Sequence, residues 1–481
     1  MAQTASQRAS RARSETVSFP PADREGRQRA YVETYGCQMN ISDGELMEGI
    51  LERSGYRIVQ TPEEADVVLV NTCAIRENAE RRVIGRVGEL NRLKDGRPDL
   101  VIGVTGCMAQ RLGERLLEQA PHVDLVMGPD RYRSLPQTLL DLGASPSLGA
   151  SPSPARTYRR PRQLAVVELD AAENYAGLEQ RRTSGVSAWV PIQRGCNHRC
   201  TFCIVPYVRG SEKNRAPKEI LAEIRGIVDG GVTEVTLLGQ TVNSYSWAEW
   251  SFPDLLRAAA SIDGLMRLRF TSPHPNDVSP ELVEVMATED AICEQLHLPV
   301  QSGSDRTLKR MLRRYTVASY LEKVDAVRRA IPDIALSTDV IVAFPGETAE
   351  EFEETLQLMR TVRFDDAFTY RYSLRDGTPA TRFPEADFID PARGQARLER
   401  LIEVTRGIQA EINQEEVGRV EEVLTERPAR GAGQMMGRTR RGKVVAFTGA
   451  ARQGRYVEVL LTGTTGATFA GVARETPHRR P

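Results

Sequence analysis

The chain has 481 residues, a formal charge of −1 and 40% hydrophobic residues, as expected of a soluble globular protein; its length suits about three domains of ~150 residues each. No apolar run approaches the ~18 residues that a membrane span needs, so no membrane association is expected. Seven cysteines, an odd number, argue against a disulfide framework.

Residues 1–27 carry arginine and serine but no apolar stretch of the kind a secretory signal needs. Organellar transit peptides share that Arg/Ser bias, but a disordered tail is the expectation. Without an export signal, reduced thiols and a cytoplasmic location are expected. From 28 to 141 strand and helix patterns alternate. "AYVETYG", "DVVLVNT", "LVIGVTG" and "VDLVMG" read as strands, and "DGELMEGILERSGY", "RENAERRVIGRVGELNRLK" and "AQRLGERLLEQA" read as helices. Such alternation predicts a parallel α/β sheet. Residues 142–182 begin with a tandem LGASPS repeat and read as a linker and connecting segment, because Gly, Ser and Pro build no core.

Six strand candidates separated by helical patterns fill 183–413: "AWVPIQ", "EVTLLGQ", "RLRFTS", "QLHLPV", "ALSTDVIVAF" and "FTYRYS". Six β/α units predict an incomplete barrel rather than the closed eight-fold form. The segment 414–476 is rich in short β-runs broken by glycine, which predicts a small β-barrel. Residues 415–481 hold 12 Lys/Arg against 7 Asp/Glu, with the run "GRTRRGK" at 437–443. A basic module on a neutral chain suggests an anionic partner, nucleic acid first. Arg438, Arg440, Arg441 and Lys443, read as an exposed turn, are its candidate phosphate contacts.

The cysteines form two groups. Cys37, Cys73 and Cys107 each directly follow a predicted strand, so a parallel sheet delivers all three to its carboxyl edge, where such folds bind ligands. Cys196, Cys200 and Cys203 form C-x3-C-x2-C after the first barrel strand. Zinc prefers four N/S ligands, and His198 would complete a Cys3His site. Three thiolates on an iron–sulfur cluster leave one iron free to bind something else, and the same deficit in both groups favours that reading. Cys293 has no partner in the pattern and reads as a core residue. With period two along the strands, Thr236, Gln240, Arg269, Gln295, His297, Gln301, Ser337 and Asp339 face the barrel interior. Such an interior is costly unless something polar binds inside.

C-x3-C-x2-C after a barrel's first strand, with Phe202 before the last cysteine, resembles the radical S-adenosylmethionine (SAM) superfamily. Residues 28 to about 475 further resemble its methylthiotransferases, through "ETYGCQMN", "VNTCAIRENAE", "RGCNHRCTFCIVPYVRG", "HLPVQSGSDRTLKRM", "STDVIVAFPGET" and "YSLRDGTPA". Thr241 stands where asparagine is common, and Ala343 where glycine is. The resemblance implies three domains: an N-terminal methylthiotransferase domain, a radical SAM barrel and a C-terminal TRAM domain. It implies two [4Fe–4S] clusters, an auxiliary one on Cys37, Cys73 and Cys107 and a radical SAM one on Cys196, Cys200 and Cys203. Phe202, Gly239, Gln240, Gln301 and Asp339 are the candidates around bound SAM. The implied reaction replaces an aromatic C–H of N6-isopentenyladenosine, next to a tRNA anticodon, by C–SCH3. It uses two SAM, with sulfur carried by the auxiliary cluster. A strong C–H bond needs radical chemistry supplied by a cofactor. An external electron donor and a sulfur source are implied, and a monomer is expected. Other substrates of the same family, threonylcarbamoyl-adenosine in tRNA or a ribosomal-protein aspartate, stay open here. So does a zinc-dependent RNA-binding protein without catalysis.

Overall fold

The structure, a computed structural model, describes residues 28–74, 77–144, 163–182 and 185–474, without the side chains of 77–79. The N-terminal tail and most of the LGASPS repeat lie outside the described residues.

The run "VVLV" begins the strand Val67–Thr72, in which every residue is buried. Its side chains alternate between two cores. Val67 and Leu69 pack with Leu46, Met47 and Met127 on one face, and Val68 and Val70 with Val83, Val87 and Ile102 on the other. A strand apolar on both faces belongs inside a parallel sheet covered by helices. Here that sheet has six strands. In spatial order they are Arg57–Ile58, Arg29–Tyr35, Val67–Thr72, Val101–Gly106, Leu125–Met127 and Leu164–Val166, with every pairing parallel. The edge strand Leu164–Val166 corrects the reading of 142–182 as linker and connecting segment throughout. Three residues are too short to show a period, and only pairing with Leu125–Met127 makes them a strand.

The central unit lays six parallel strands in chain order: Ser187–Pro191, Glu234–Leu238, Arg267–Phe270, Gln295–His297, Ala335–Val342 and Asp366–Arg371. A bridge between Leu268 and Ile292 joins its two halves. Leu296, Leu298, Val300, Val340 and Val342 pack outward with apolar helix residues such as Tyr320, Val324 and Leu356. The polar residues face inward and meet one another. Arg269 donates to Gln295 (2.7 Å) and Glu234 (3.3 Å), and His297 lies 3.0 Å from Ser337 Oγ and 3.4 Å from Asp339. Helices start on cues in the sequence: Thr348 caps Ala349–Val362 reciprocally with Glu351.

The 26-residue helix Pro391–Glu416, capped by Asp390, leads to a closed five-stranded barrel. Its strands are Val420–Pro428, Gln434–Thr439, Val444–Thr448, Tyr456–Thr464 and Thr468–Ala473. This barrel seals the end of the central unit where the strands begin. Arg267 and Arg269 donate to the carbonyls of Arg438, Thr439 and Arg440. The basic run is therefore largely turned inward, which corrects its reading as an exposed turn. Arg440 forks onto Glu294, Arg441 pairs with Glu416 and Glu421, and Lys443 with Asp365. Arg438 stays 49% exposed beside Glu426. A charge run shows no direction in sequence; here partner carboxylates decided it.

Candidate active site

Two glycines aim cysteines out of strand ends. Gly106 (φ 92°) ends Val101–Gly106 and turns the chain into the helix that starts at Cys107. A Cβ on Gly106 would lie 2.5 Å from Thr72 O, so no other residue fits. Gly195 (φ 75°) does the same before Cys196, where a Cβ would meet Ser211 O at 2.1 Å.

The first triad comes together at the carboxyl edge of the N-terminal sheet. Cys37 is hydrogen-bonded with Cys73, which is the main cause of its depressed pKa of about 6; the charge of Arg209 adds to this and burial opposes it. The Cys37 thiol also faces Asn40 Oδ1 at 3.2 Å. Burial pushes Cys107 up, and Arg209 counters by donating from Nε to its sulfur at 3.1 Å. Arg209 and the oxygen of Asp43 it binds at 2.6 Å are both buried.

The second triad lies at the mouth of the central barrel, on the loop after Gln193–Arg194. Cys196 Sγ sits 3.2 Å from Thr241 Oγ1, while Gln193 Oε1 accepts from Thr241 N. The position where this sequence departs from the usual asparagine thus touches a cysteine. Arg313 donates to Cys200 Sγ at 3.5 Å and to Tyr315 OH and Pro299 O. Burial pushes Cys203 up to about 12 and raises Cys196 as well. His198 is engaged elsewhere: it stacks on His274 at 3.9 Å between ring centres and faces Asp277 at 3.5 Å. Burial and the nearby Arg313 push His274 down to about 2, so its ring is neutral.

The triads are neighbours. Ile204, directly after Cys203, and Val208 share one buried apolar cluster with Ala74 and Cys107. Across the same interface Asp130 binds Lys213 at 2.7 Å and faces Arg194 at 3.6 Å, and Arg194 lies flat over Tyr175. Cys293 lies apart from both triads, buried near Arg269 and Arg440.

The other candidates line the barrel mouth and interior. Phe202 meets Phe344 edge-on. Gly239 is packed too tightly against Val242 and Gln193 for a side chain. Gln240 Oε1 is buried with no hydrogen-bond partner among the described residues. Gln301 has φ 71° and bridges to Val340, and Asp339 faces His297. Sequence reasoning missed Arg209, Arg313 and Thr241, because only tertiary contacts bring them to sulfur. It also missed Phe368, a half-exposed ring on the last strand that pairs in register with Asp339 and meets His297 edge-on.

Residues 29–128 match the model of the uncharacterized protein family UPF0004, 190–359 that of the radical SAM superfamily and 414–471 that of the TRAM domain. Curated relatives named tRNA-2-methylthio-N(6)-dimethylallyladenosine synthase extend over nearly the whole chain. The protein of Carboxydothermus hydrogenoformans is 44% identical over 90% of this chain and 96% of its own length. That of Corynebacterium urealyticum is 45% identical over 90% and 80%. The chain belongs to the radical SAM methylthiotransferase family. As a radical SAM enzyme it shares its fold with remoter solved structures. The methyltransferase TsrM from Kitasatospora setae covers 74% of both chains with a TM-score of 0.52 at 14% identity. The radical enzyme OxsB covers 80% of this chain and 58% of its own, also with a TM-score of 0.52 at 14% identity.

Membership of the superfamily implies SAM and a [4Fe–4S] cluster, and the donor set at the barrel mouth fits one. The three thiols lie close enough to feel one another's charge, Arg313 donates to one of them, and His198 is turned to Asp277. No helix among the described residues is long and apolar enough to cross a membrane.

Proposed function

We propose that this enzyme converts N6-isopentenyladenosine (the dimethylallyl derivative named in its relatives) next to the tRNA anticodon into its 2-methylthio form. The observation that carries this reading is the apolar cluster that joins the segments bearing the two triads: it holds Cys107 and Ile204, the residue after Cys203. Cys196, Cys200 and Cys203 hold the radical SAM cluster, and Cys37, Cys73 and Cys107 hold an auxiliary [4Fe–4S] cluster. Bound there, these groups supply a 5′-deoxyadenosyl radical from one SAM, a transferable sulfur and, from a second SAM, the methyl group.

The protein's own residues bind, orient and enclose. Arg313 and Thr241 fix Cys200 and Cys196. Phe202, Gly239, Gln240, Gln301 and Asp339 surround SAM at the barrel mouth, with the free Gln240 Oε1 as one acceptor. The half-exposed Phe368 offers a stacking surface to the substrate base beside His297. The TRAM barrel contacts tRNA phosphates, and of the basic run Arg438 is the side chain best placed to do so. Arg440, Arg441 and Lys443 serve that contact indirectly, by seating the barrel. The enzyme acts in the cytoplasm as a monomer, with an external electron donor and a sulfur source.

The test is anaerobic reconstitution with iron and sulfide, followed by turnover with SAM, dithionite and isopentenylated tRNA. Nucleoside mass spectrometry should show the 2-methylthio product. Absence of that product, with the 2-methylthio derivative of threonylcarbamoyl-adenosine formed instead on tRNA carrying that base, would reassign the substrate.

A further inference from the structure

Arg209 closes the segment that begins with the radical loop, one position after the short helix Val205–Val208, yet its guanidinium is buried in the N-terminal domain. Nε donates to Cys107 Sγ at 3.1 Å and Nη2 to Asp43 Oδ2 at 2.6 Å, while Nη1 has no hydrogen-bond partner among the described residues. Burying a cation with one donor unsatisfied is costly. Farther along the interface Arg194 and Lys213 share the carboxylate of Asp130. Asp170 adds its negative charge beside Lys213, and of these three cations Arg209 is the one in contact with a thiol of the first triad. A buried cation with a donor to spare, in contact with one of these thiols, is the complement of an anionic metal–thiolate centre.

We infer that Arg209 is a positioning residue of the auxiliary centre: it fixes Cys107 against the radical loop and raises the reduction potential of the cluster that this triad holds. The inference rests on the two-cluster reading proposed above. One-electron reduction adds negative charge to the centre, and a cation that donates N–H to a ligand sulfur stabilises the reduced form. Asp43 orients the guanidinium and partly offsets its charge. Removing the cation therefore lowers the potential, and removing the carboxylate raises it.

The test uses the full chain with Cys196, Cys200 and Cys203 changed to alanine, so that the auxiliary centre alone gives a signal. Reconstituted anaerobically, this parent should hold about four irons. Arg209→Met, Arg209→Lys and Asp43→Asn are added singly, and the cluster is titrated with dithionite while its reduced EPR signal is followed. The midpoint should shift negative in Arg209→Met, less so in Arg209→Lys, and positive in Asp43→Asn. With the native radical triad, methylthio product should fall about 10–100-fold in Arg209→Met, the usual range for a residue supporting a metal ligand. Shifts of one sign in Arg209→Met and Asp43→Asn, as mere loosening of the interface gives, overturn the inference; so does an unchanged midpoint in Arg209→Met. If Arg209→Met holds no iron, Asp43→Asn decides, and a midpoint not above the parent's overturns it. A parent that holds no iron overturns the two-cluster reading instead.

Discussion

Arg313 and Arg209, both buried, each touch one sulfur of a different triad, Cys200 and Cys107. The pairing places a fixed positive charge beside each set of thiols, where metal–thiolate centres are stabilised. Reconstituted protein should accordingly hold about eight irons per chain. Changing Cys196, Cys200 and Cys203 together to alanine should leave about half of the iron and abolish SAM cleavage. Changing Cys37, Cys73 and Cys107 should leave 5′-deoxyadenosine formation and remove the methylthio product. Chromatography of the cleavage products, read beside metal analysis, separates the two roles; sulfur transfer by the second variant would refute them. His198 gives a sharper check on metal identity. Because it stacks on His274 and faces Asp277, His198→Ala should keep its iron. Loss of zinc both from that variant and from Cys196→Ala, measured by elemental analysis, would instead restore the Cys3His site, since His198, His274 and Asp277 could hold an ion without the cysteines.

The turn after Gln434–Thr439 shows how one element binds two domains. Arg440 donates to both oxygens of Glu294 and to the carbonyls of Asp290 and Ile292. Arg440→Ala should destabilise the docking of the TRAM barrel by about 1–2 kcal/mol. That is less than a fully buried charged pair would give, because Glu294 is about a third exposed. Limited proteolysis after Glu416 reports the docking directly, and a cleavage rate equal to that of the parent would refute it. Burial raises the Glu294 pKa, but the Arg440 contacts outweigh this and hold it below its ordinary 4.5. A depressed carboxylate contributes stability that is present above pH 4.5 and is lost as pH falls through the folded value. The difference between parent and Arg440→Ala should therefore shrink below that pH. A difference that stays constant into acid would mean that Glu294 is not the partner that matters.

Across the whole molecule, the central barrel meets a different domain at each end. The TRAM barrel seals the amino ends of its strands, and the N-terminal domain covers the carboxyl ends, where both triads lie. One flank of the central barrel is left open by strand pairing. There the first and last strands, Ser187–Pro191 and Asp366–Arg371, are not paired with each other, and Phe368 is exposed. The N-terminal domain is held down by Asp130 with Lys213 and Arg194, all nearly inaccessible to solvent. Removing one partner of a buried ion pair leaves the others uncompensated and costs about 3–5 kcal/mol. Asp130→Asn should lower the melting temperature and speed cleavage within 163–182. An unchanged melting profile would show that the apolar contact at Ile204 and Val208 suffices.

Sequence alone determined what depends on local order. The strands that feed Cys37, Cys73 and Cys107, the six-unit barrel and its polar inner face are carried by periods of two and 3.6 residues. So is the C-x3-C-x2-C loop, whose meaning lies in spacing. The three-residue edge strand Leu164–Val166 carried no such signal, and it exists because Leu125–Met127 offers it a partner. The same holds for the direction of charge. Nothing near Arg440, Arg441 or Lys443 in the chain announces Glu294, Glu416 or Asp365, so a basic run looked solvent-facing until the fold supplied carboxylates. Arg209 and Arg313 reach sulfurs 102 and 113 residues away in the chain. Periodicity and spacing record what a residue does to its neighbours in sequence, whereas a buried ion pair or an N–H···S contact is made between segments that meet only after folding.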